Sequence, residues 1–147
     1  MKQTKTNLTI KGILYITLTI CSIILLQSCA KKITFNTSPV VPAAEGTVKL
    51  KNDNNGNYEL DLNVMHLADP KRLNPSKQLY VVWIETEQNG IKNVGQLKTS
   101  SGLFSKTLKS SLKTISSFKP NRIFITAEDN ANTQYPGGQT VLNTDNF

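Results

Sequence analysis

The chain has 147 residues, of which 17 are Lys or Arg and 10 are Asp or Glu, giving a formal net charge of +7. This length allows one small folded domain and excludes a large multidomain enzyme. The basic residues are spread along the chain with no run that interleaves aromatic side chains, so the composition gives no support to nucleic-acid binding.

Residues 1–28 show the three-part pattern of a secretory signal peptide. Three lysines and no acid precede the uncharged apolar stretch Ile13–Leu26, and the small residue Ser28 ends the segment. As a helix, the apolar stretch would reach about 21 Å, which is short of the roughly 30 Å hydrocarbon core of a bilayer. We therefore predict a cleaved leader rather than a permanent transmembrane helix.

The residues Leu26, Gln27, Ser28 and Cys29 resemble the lipobox of bacterial lipoproteins, with Leu at the third position before the cysteine and a small residue directly before it. The resemblance implies diacylglycerol on the Cys29 thiol, cleavage before Cys29 and acylation, for example by palmitate, of the new amino terminus. Several acyl chains hold a protein firmly on a bilayer. Cleavage would also remove Cys21, so we expect no disulfide, thiolate metal site or cysteine nucleophile in the mature protein.

The segment AKKITFNTSPVVPAA, residues 30–44, is rich in small and polar residues and contains two prolines. We predict that residues 29–44 form a lipidated, flexible tether. The residues after Cys29 are Ala30, Lys31 and Lys32, which match neither the acidic cluster of surface-exposed lipoproteins nor the Asp that retains some lipoproteins at the inner membrane. We therefore expect a membrane-anchored extracytoplasmic protein at the periplasmic face of an outer membrane.

Residues 45–147 alternate between apolar and polar side chains, as half-buried strands do. A hairpin is predicted by the alternation around Val48 and over Tyr58–Val64, which flanks the turn Asn55-Gly56. Further strands are predicted at 79–84, 91–98, 104–108, 122–127 and 139–142. Together they indicate an all-β domain, a single small antiparallel β-sandwich of the immunoglobulin-like type with about seven strands. The apolar spacing of 103–115 also fits a helix, although its many Ser and Thr residues favour a strand over 104–108 followed by a loop.

The strand Leu79–Ile84 is apolar on both faces, whereas an antiparallel sandwich normally buries one face of each sheet. The second face therefore needs either a loop or a partner to cover it. If a partner covers it, Tyr80, Val82 and Ile84 form the candidate interaction surface.

The segments QLYVVWIE, KNVGQLK and RIFITAED…QYPGGQTVL together resemble the carboxy-terminal extracytoplasmic domain of anti-sigma-K factors. The positions that carry the resemblance are Trp83, Gly95, Glu128, Gly137, Gly138 and Val141. It covers about residues 46–142 and implies a β-sandwich that forms the sensing or interacting half of an envelope regulator. This sequence shows no sigma-binding segment or spanning helix ahead of the domain, so sigma-factor control is not carried over.

Few residues offer chemistry. The single histidine, His66, has no activated partner nearby in sequence, and a surface or capping role is expected. Glu128 and Asp129, with Tyr135 beside a Gly-Gly turn, form the candidate ligand site. We expect no catalytic residues, metal or cofactor. The sequence thus predicts a non-enzymatic, lipid-anchored module that binds or senses another envelope component, most simply a protein; the alternative is a carbohydrate- or small-ligand-binding lipoprotein.

Overall fold

The computed structural model describes residues 30–101 and 108–147, together with Gly12, Ile13 and Tyr15; for residues 99–101 it describes the backbone alone. Residues 30–101 and 108–147 form nine strands and one short 3₁₀ helix, Pro70–Arg72, between the third and fourth strands. The strands are β1 Lys31–Thr34, β2 Glu45–Asn52, β3 Tyr58–Met65, β4 Leu79–Thr86, β5 Gly90–Gln96, β6 Lys98–Ser101, β7 Leu108–Ser116, β8 Arg122–Glu128 and β9 Thr140–Asn143.

The strands form two antiparallel sheets. Sheet A has the order β1-β2-β3-β7-β6, and sheet B has the order β5-β4-β8-β9. The prediction of a small antiparallel β-sandwich is confirmed. The described residues contain two strands beyond the predicted seven, because the predicted tether contributes β1 and the predicted strand 91–98 is divided at Leu97. Leu97 is buried where the chain crosses from sheet B to sheet A.

The hydrophobic core lies between the sheets. In the long strands such as β3, β4 and β8, alternate residues point inward, because successive side chains of a strand lie on opposite faces. Each fully buried aliphatic side chain stabilises the fold by roughly 1.5–3 kcal/mol relative to exposure. The core residues with almost no exposed surface are Val48, Leu60, Leu62 and Val64 in sheet A, and Val82, Ile84, Ile123, Ile125 and Leu142 in sheet B.

The predicted hairpin is formed by β2 and β3, with Val48 opposite Leu62 and Leu50 opposite Leu60. Its turn is closed by Asp53, whose carboxylate accepts hydrogen bonds from the backbone N–H groups of Asn55 and Asn57 at 2.8 Å. Hydrogen bonds from the side chain and backbone of Asn57 hold the pKa of Asp53 below its usual value. The Asn-Gly signal was therefore a reliable guide to this turn.

The prediction of a flexible tether over 29–44 is wrong for the described residues 31–44. Strand β1 pairs with β2 along its whole length, and Ile33, opposite Val48, is buried. Phe35 is also buried, so the period of two that identifies a strand is present in the short sequence Ile33-Thr34-Phe35. Beyond β1, the backbone N–H of Asn36 donates to the Asn143 carbonyl of β9 at 2.8 Å, which links the two sheets.

The segment 103–115 was predicted as a strand over 104–108 followed by a loop, with a helix as the alternative. Residues 102–107 lie outside the described residues. Residues 108–116 form β7, which pairs with β3 in the middle of sheet A. Of the predicted strand 104–108, only Leu108 is described, and it does lie in a strand; the loop predicted after Leu108 is wrong, and so is the helix alternative for 108–115. This serine-rich segment gives only a weak strand signal in the sequence, and pairing with β3 stabilises it as a strand.

Candidate functional site

The two faces of β4 are both buried by the chain itself. Tyr80, Val82 and Ile84 point into the core between the sheets, and none of them exposes more than 3% of its surface. The candidate interaction surface formed by these residues is therefore wrong, because each is packed against sheet A. On the outer face of β4, Trp83 packs against Phe124 of β8 with a ring-centroid distance of 6.3 Å. Trp83 is completely buried, so it lines no accessible site.

A line of hydrogen bonds crosses this outer face of sheet B. The Trp83 indole N–H donates to the Thr126 hydroxyl at 2.8 Å, and that hydroxyl donates to Glu128 Oε1 at 2.7 Å. The same carboxylate oxygen accepts the backbone N–H groups of Gly137 at 3.1 Å and Gly138 at 3.0 Å. Glu128 is therefore a structural residue that ties the loop 129–139 back onto β8.

The loop 129–139 is fastened to the sheet at a second point. Asn93 of β5 lies opposite Trp83, and its amide nitrogen donates to the carbonyl oxygens of Ala131 and Thr133, both at 2.9 Å. The two anchors, Asn93 and Glu128, hold the loop across the outer face of sheet B. The sequence left open whether a loop or a partner covers the second apolar face of β4. In the structure, the loop 129–139 covers it.

The three residues of the candidate ligand site are not brought together. The Glu128 side chain is buried and occupied by the loop. Asp129 forms an ion pair with Lys77 at 2.6 Å. Tyr135 is 76% exposed. Only Tyr135 is free to meet a ligand in the way that the sequence suggested.

Tyr135 instead borders an open cleft between β5 and the loop 129–139, which we call the loop cleft. The cleft has a volume of about 800 Å³. The residues that line it are Ile91, Lys92, Asn93, Val94, Gly95, Gln96, Ala131, Asn132, Thr133, Gln134 and Tyr135. Exposed amide groups therefore lie beside one exposed aromatic ring. Such a surface can donate and accept hydrogen bonds and stack on a flat or ring-shaped ligand.

The sequence pointed to Tyr135 but not to the β5 wall of the loop cleft. Asn93 and Gln96 belong to a strand that looked ordinary in the sequence, and the partners of Asn93 lie about forty residues further along the chain. The polar run Asn130–Gln134 was the one local signal for this site.

The groups whose pKa values are shifted do not line the loop cleft. Burial, with a smaller contribution from the charge of Asp69, raises the pKa of Tyr80 to about 12, and the Tyr80 hydroxyl donates to the Ala68 carbonyl at 2.9 Å. On the outer face of sheet A, the hydrogen bond and charge of Lys113 lower the pKa of Glu59, whose carboxylate lies 2.7 Å from the lysine nitrogen. These shifts accompany structural contacts and assemble no general acid–base pair.

The other predicted chemistry is quickly placed. The His66 side chain is exposed in the crossing that follows β3, which confirms a surface position. Among the described residues, no group of three or more His, Cys, Asp and Glu side chains is arranged to hold a metal ion.

The leader 1–28 lies outside the described residues except for Gly12, Ile13 and Tyr15, and Cys29 lies outside them as well. A membrane-spanning helix is not found in the part of the chain that the structure describes. Comparison of the chain with protein-family models, with curated proteins and with solved structures gave no significant match.

Proposed function

We propose that this protein is a lipid-anchored, non-enzymatic binding module of the bacterial cell envelope. The observation that carries the proposal is the lipobox-like sequence Leu26–Cys29 at the end of a basic and then apolar leader. The sandwich that follows suits such a role, because a rigid β-scaffold that displays a loop cleft is a common design for a binding protein. The anchor would place this cleft at a membrane surface outside the cytoplasm.

The anchor is tested by removing the Cys29 thiol, to which the lipid would be attached. The full chain is expressed in a lipoprotein-processing bacterium, and the mass of its amino-terminal peptide is measured. We expect a peptide that begins at Cys29 and carries fatty acyl chains, and we expect Cys29→Ala to lose both the cleavage and the lipid. Cys21→Ala is the matched control, because Cys21 would leave with the leader. A full-length, unmodified amino terminus in the parent chain would refute the anchor.

The binding surface of this module is proposed to be the loop cleft, and its occupant another envelope protein. Tyr135 supports this assignment, because a tyrosine that is 76% exposed beside a concave, amide-lined surface has the character of an interface anchor. The test is crosslinking of the lipidated protein in its own envelope, followed by identification of the captured partner. We expect Tyr135→Ala to abolish the specific crosslink. Ile115→Ala, which removes a 68% exposed side chain from the opposite sheet, is the control.

A carbohydrate is the second candidate occupant of the loop cleft. The observation that favours it is the juxtaposition of the Tyr135 ring with the side chains of Gln96, Asn132 and Gln134, since sugars are bound by stacking on an aromatic ring and by hydrogen bonds to amides. Calorimetric titration with soluble peptidoglycan fragments distinguishes the candidates. Heat that is lost in Tyr135→Ala but kept in Ile115→Ala would favour the carbohydrate, and the absence of heat would remove it.

A further inference from the structure

The position of β1 limits the distance between the domain and its anchor. Only Ala30 lies between Cys29 and Lys31, the first residue of β1, and one extended residue spans about 3.3–3.6 Å. If Cys29 carries the lipid of the proposed function, the acyl chains leave directly from the edge of sheet A. The start of β1 is then held close to the bilayer surface.

The residues at that end are fixed by the strand register. The start of β1 lies beside the end of β2, since Lys31 is opposite Leu50. The end of β7 lies beside the start of β3, since Ser116 is opposite Tyr58. In sheet B, the end of β4 meets the start of β8, since Glu85 is opposite Arg122. We call this end of the molecule the basal end.

The basal end carries two aromatic rings, each with a lysine above it. The Lys31 ammonium lies 5.0 Å from the centroid of the Phe147 ring, and the Lys92 ammonium lies 5.3 Å from the centroid of the Phe118 ring. A shallow cavity of about 250 Å³ lies between the turn after β4 and the segment after β7, and Phe118, Lys119 and Phe147 all line it. Phe118 remains 38% exposed, and Lys119 is exposed beside it.

The charge of this end is positive once its ion pairs are removed. Lys113 is paired with Glu59 and Arg122 with Glu85. The remaining charged side chains at the basal end are Lys31, Lys51, Lys92 and Lys119 on one side and Asp53 and Glu87 on the other. Lysines within a few ångströms of an anionic leaflet are attracted to its headgroups, and exposed aromatic rings favour the interfacial region.

We propose that the basal end, formed by Lys31, Lys92, Phe118, Lys119 and Phe147, docks on the anionic lipid headgroups of the membrane that holds the Cys29 lipid. The inference rests on the proposed anchor. Docking fixes the orientation of the sandwich, with Lys71 and Lys109 at the end away from the bilayer.

The test measures which lysines the membrane shields. The lipidated full-length protein is reconstituted in vesicles of phosphatidylcholine, with or without about one third phosphatidylglycerol. A membrane-impermeant amine-acylating reagent is added, and the modification of each lysine is followed by peptide mass spectrometry. We expect Lys31, Lys92 and Lys119 to react about fivefold or more slowly on the anionic vesicles than on the neutral ones. Lys71 and Lys109 should react equally on both.

Two charge-reversal pairs complete the experiment. In the double variant Lys92→Glu, Lys119→Glu, Lys31 should be acylated on anionic vesicles as fast as on neutral ones. In the double variant Lys71→Glu, Lys109→Glu, Lys31 should still be acylated more slowly on anionic vesicles. Emission from the buried Trp83 checks that each variant is folded. If the protein floats with the vesicles but anionic lipid slows acylation no more at the basal lysines than at Lys71 and Lys109, docking is refuted and the lipid anchor is not. Failure to float would refute the lipid anchor and docking together.

Discussion

Gly138 is the residue at which the loop 129–139 passes closest to sheet B. A Cβ atom at this position would overlap the Ala127 carbonyl oxygen, and Ala127 is held within β8. A Cβ atom at Gly137 would have Glu128 Oε2 as its nearest neighbour, at an ordinary 3.8 Å. The Gly-Gly turn noted in the sequence therefore contains one glycine with a packing requirement.

We expect Gly138→Ala to lower the free energy of unfolding by about 1–3 kcal/mol, because the loop must move away from β8 to accommodate the methyl group. Gly137→Ala should change it by no more than about 0.5 kcal/mol. Urea denaturation of both variants measures the difference. Equal effects at the two positions would contradict the close approach at Gly138.

The raised pKa of Tyr80 makes stability fall at alkaline pH. The folded protein holds the phenol proton up to about pH 12, whereas the unfolded chain releases it near pH 10. The contribution of the neutral Tyr80 phenol to the free energy of unfolding is therefore fully present below about pH 10 and is lost as the pH rises through 12. A shift of this size corresponds to about 2–3 kcal/mol.

Tyr80→Phe should cost about 1 kcal/mol at neutral pH, because its hydrogen bond to Ala68 is lost. The deficit should shrink by about 1 kcal/mol near pH 11, where only the parent has a phenol to ionise at this position. Urea denaturation at the two pH values measures it, with the exposed Tyr135→Phe as the control. A deficit that stays constant with pH would show that burial does not resist ionisation of Tyr80.

At the scale of elements, β1 behaves as part of the sandwich and not as a tether. Ile33→Ala should lower the free energy of unfolding by about 2 kcal/mol, because it leaves a hole opposite Val48 in the core. Lys32→Ala, which truncates an exposed side chain of the same strand, should change it by less than about 0.5 kcal/mol. Thermal or urea denaturation tests both. A neutral Ile33→Ala would restore the prediction of a flexible tether.

The loop 129–139 is attached to β8 by one oxygen of the Glu128 carboxylate and, at its last residue, by a hydrogen bond from the Ala127 backbone N–H to the Gln139 carbonyl. Glu128→Ala removes the acceptor for Thr126, Gly137 and Gly138, and leaving such donors unpaired costs about 1–3 kcal/mol. We expect faster hydrogen exchange at the amides of Gly137 and Gly138 in this variant. Glu128→Gln keeps an oxygen at the same place and should retain most of the protection. Unchanged exchange in Glu128→Ala would show that the Glu128 carboxylate is not needed to hold the loop.

For the whole molecule, the sequence could predict the features that are determined by residues close together in the chain. The hairpin of β2 and β3 follows from alternation and from the Asn55-Gly56 signal within a few residues. The loop cleft could not be found in this way, because Asn93 meets its partners across nearly forty residues. Strand β1 was missed because two prolines and a polar composition obscured the brief alternation of Ile33 and Phe35.

The prediction for β4 shows how a correct observation can support a wrong surface. The strand is apolar on both faces, as the sequence indicated, and both faces are covered. The sequence could not show which face meets sheet A, because the period of two is satisfied by either arrangement. The long connection between β8 and β9 supplies the second cover, and its polar composition gave no sign of this role.

The nearness of β1 to Cys29 also bears on the order of events during biogenesis. The proposed acylation and cleavage at Cys29 would take place two residues before Lys31, the first residue of a strand that pairs with β2. If the chain is processed at Cys29 as proposed, processing and the pairing of β1 would involve neighbouring residues. Because β1 is an edge strand, the rest of sheet A can assemble before it. Late pairing of β1 would leave time for lipidation and would make this strand the step that closes the fold after the protein has reached its membrane.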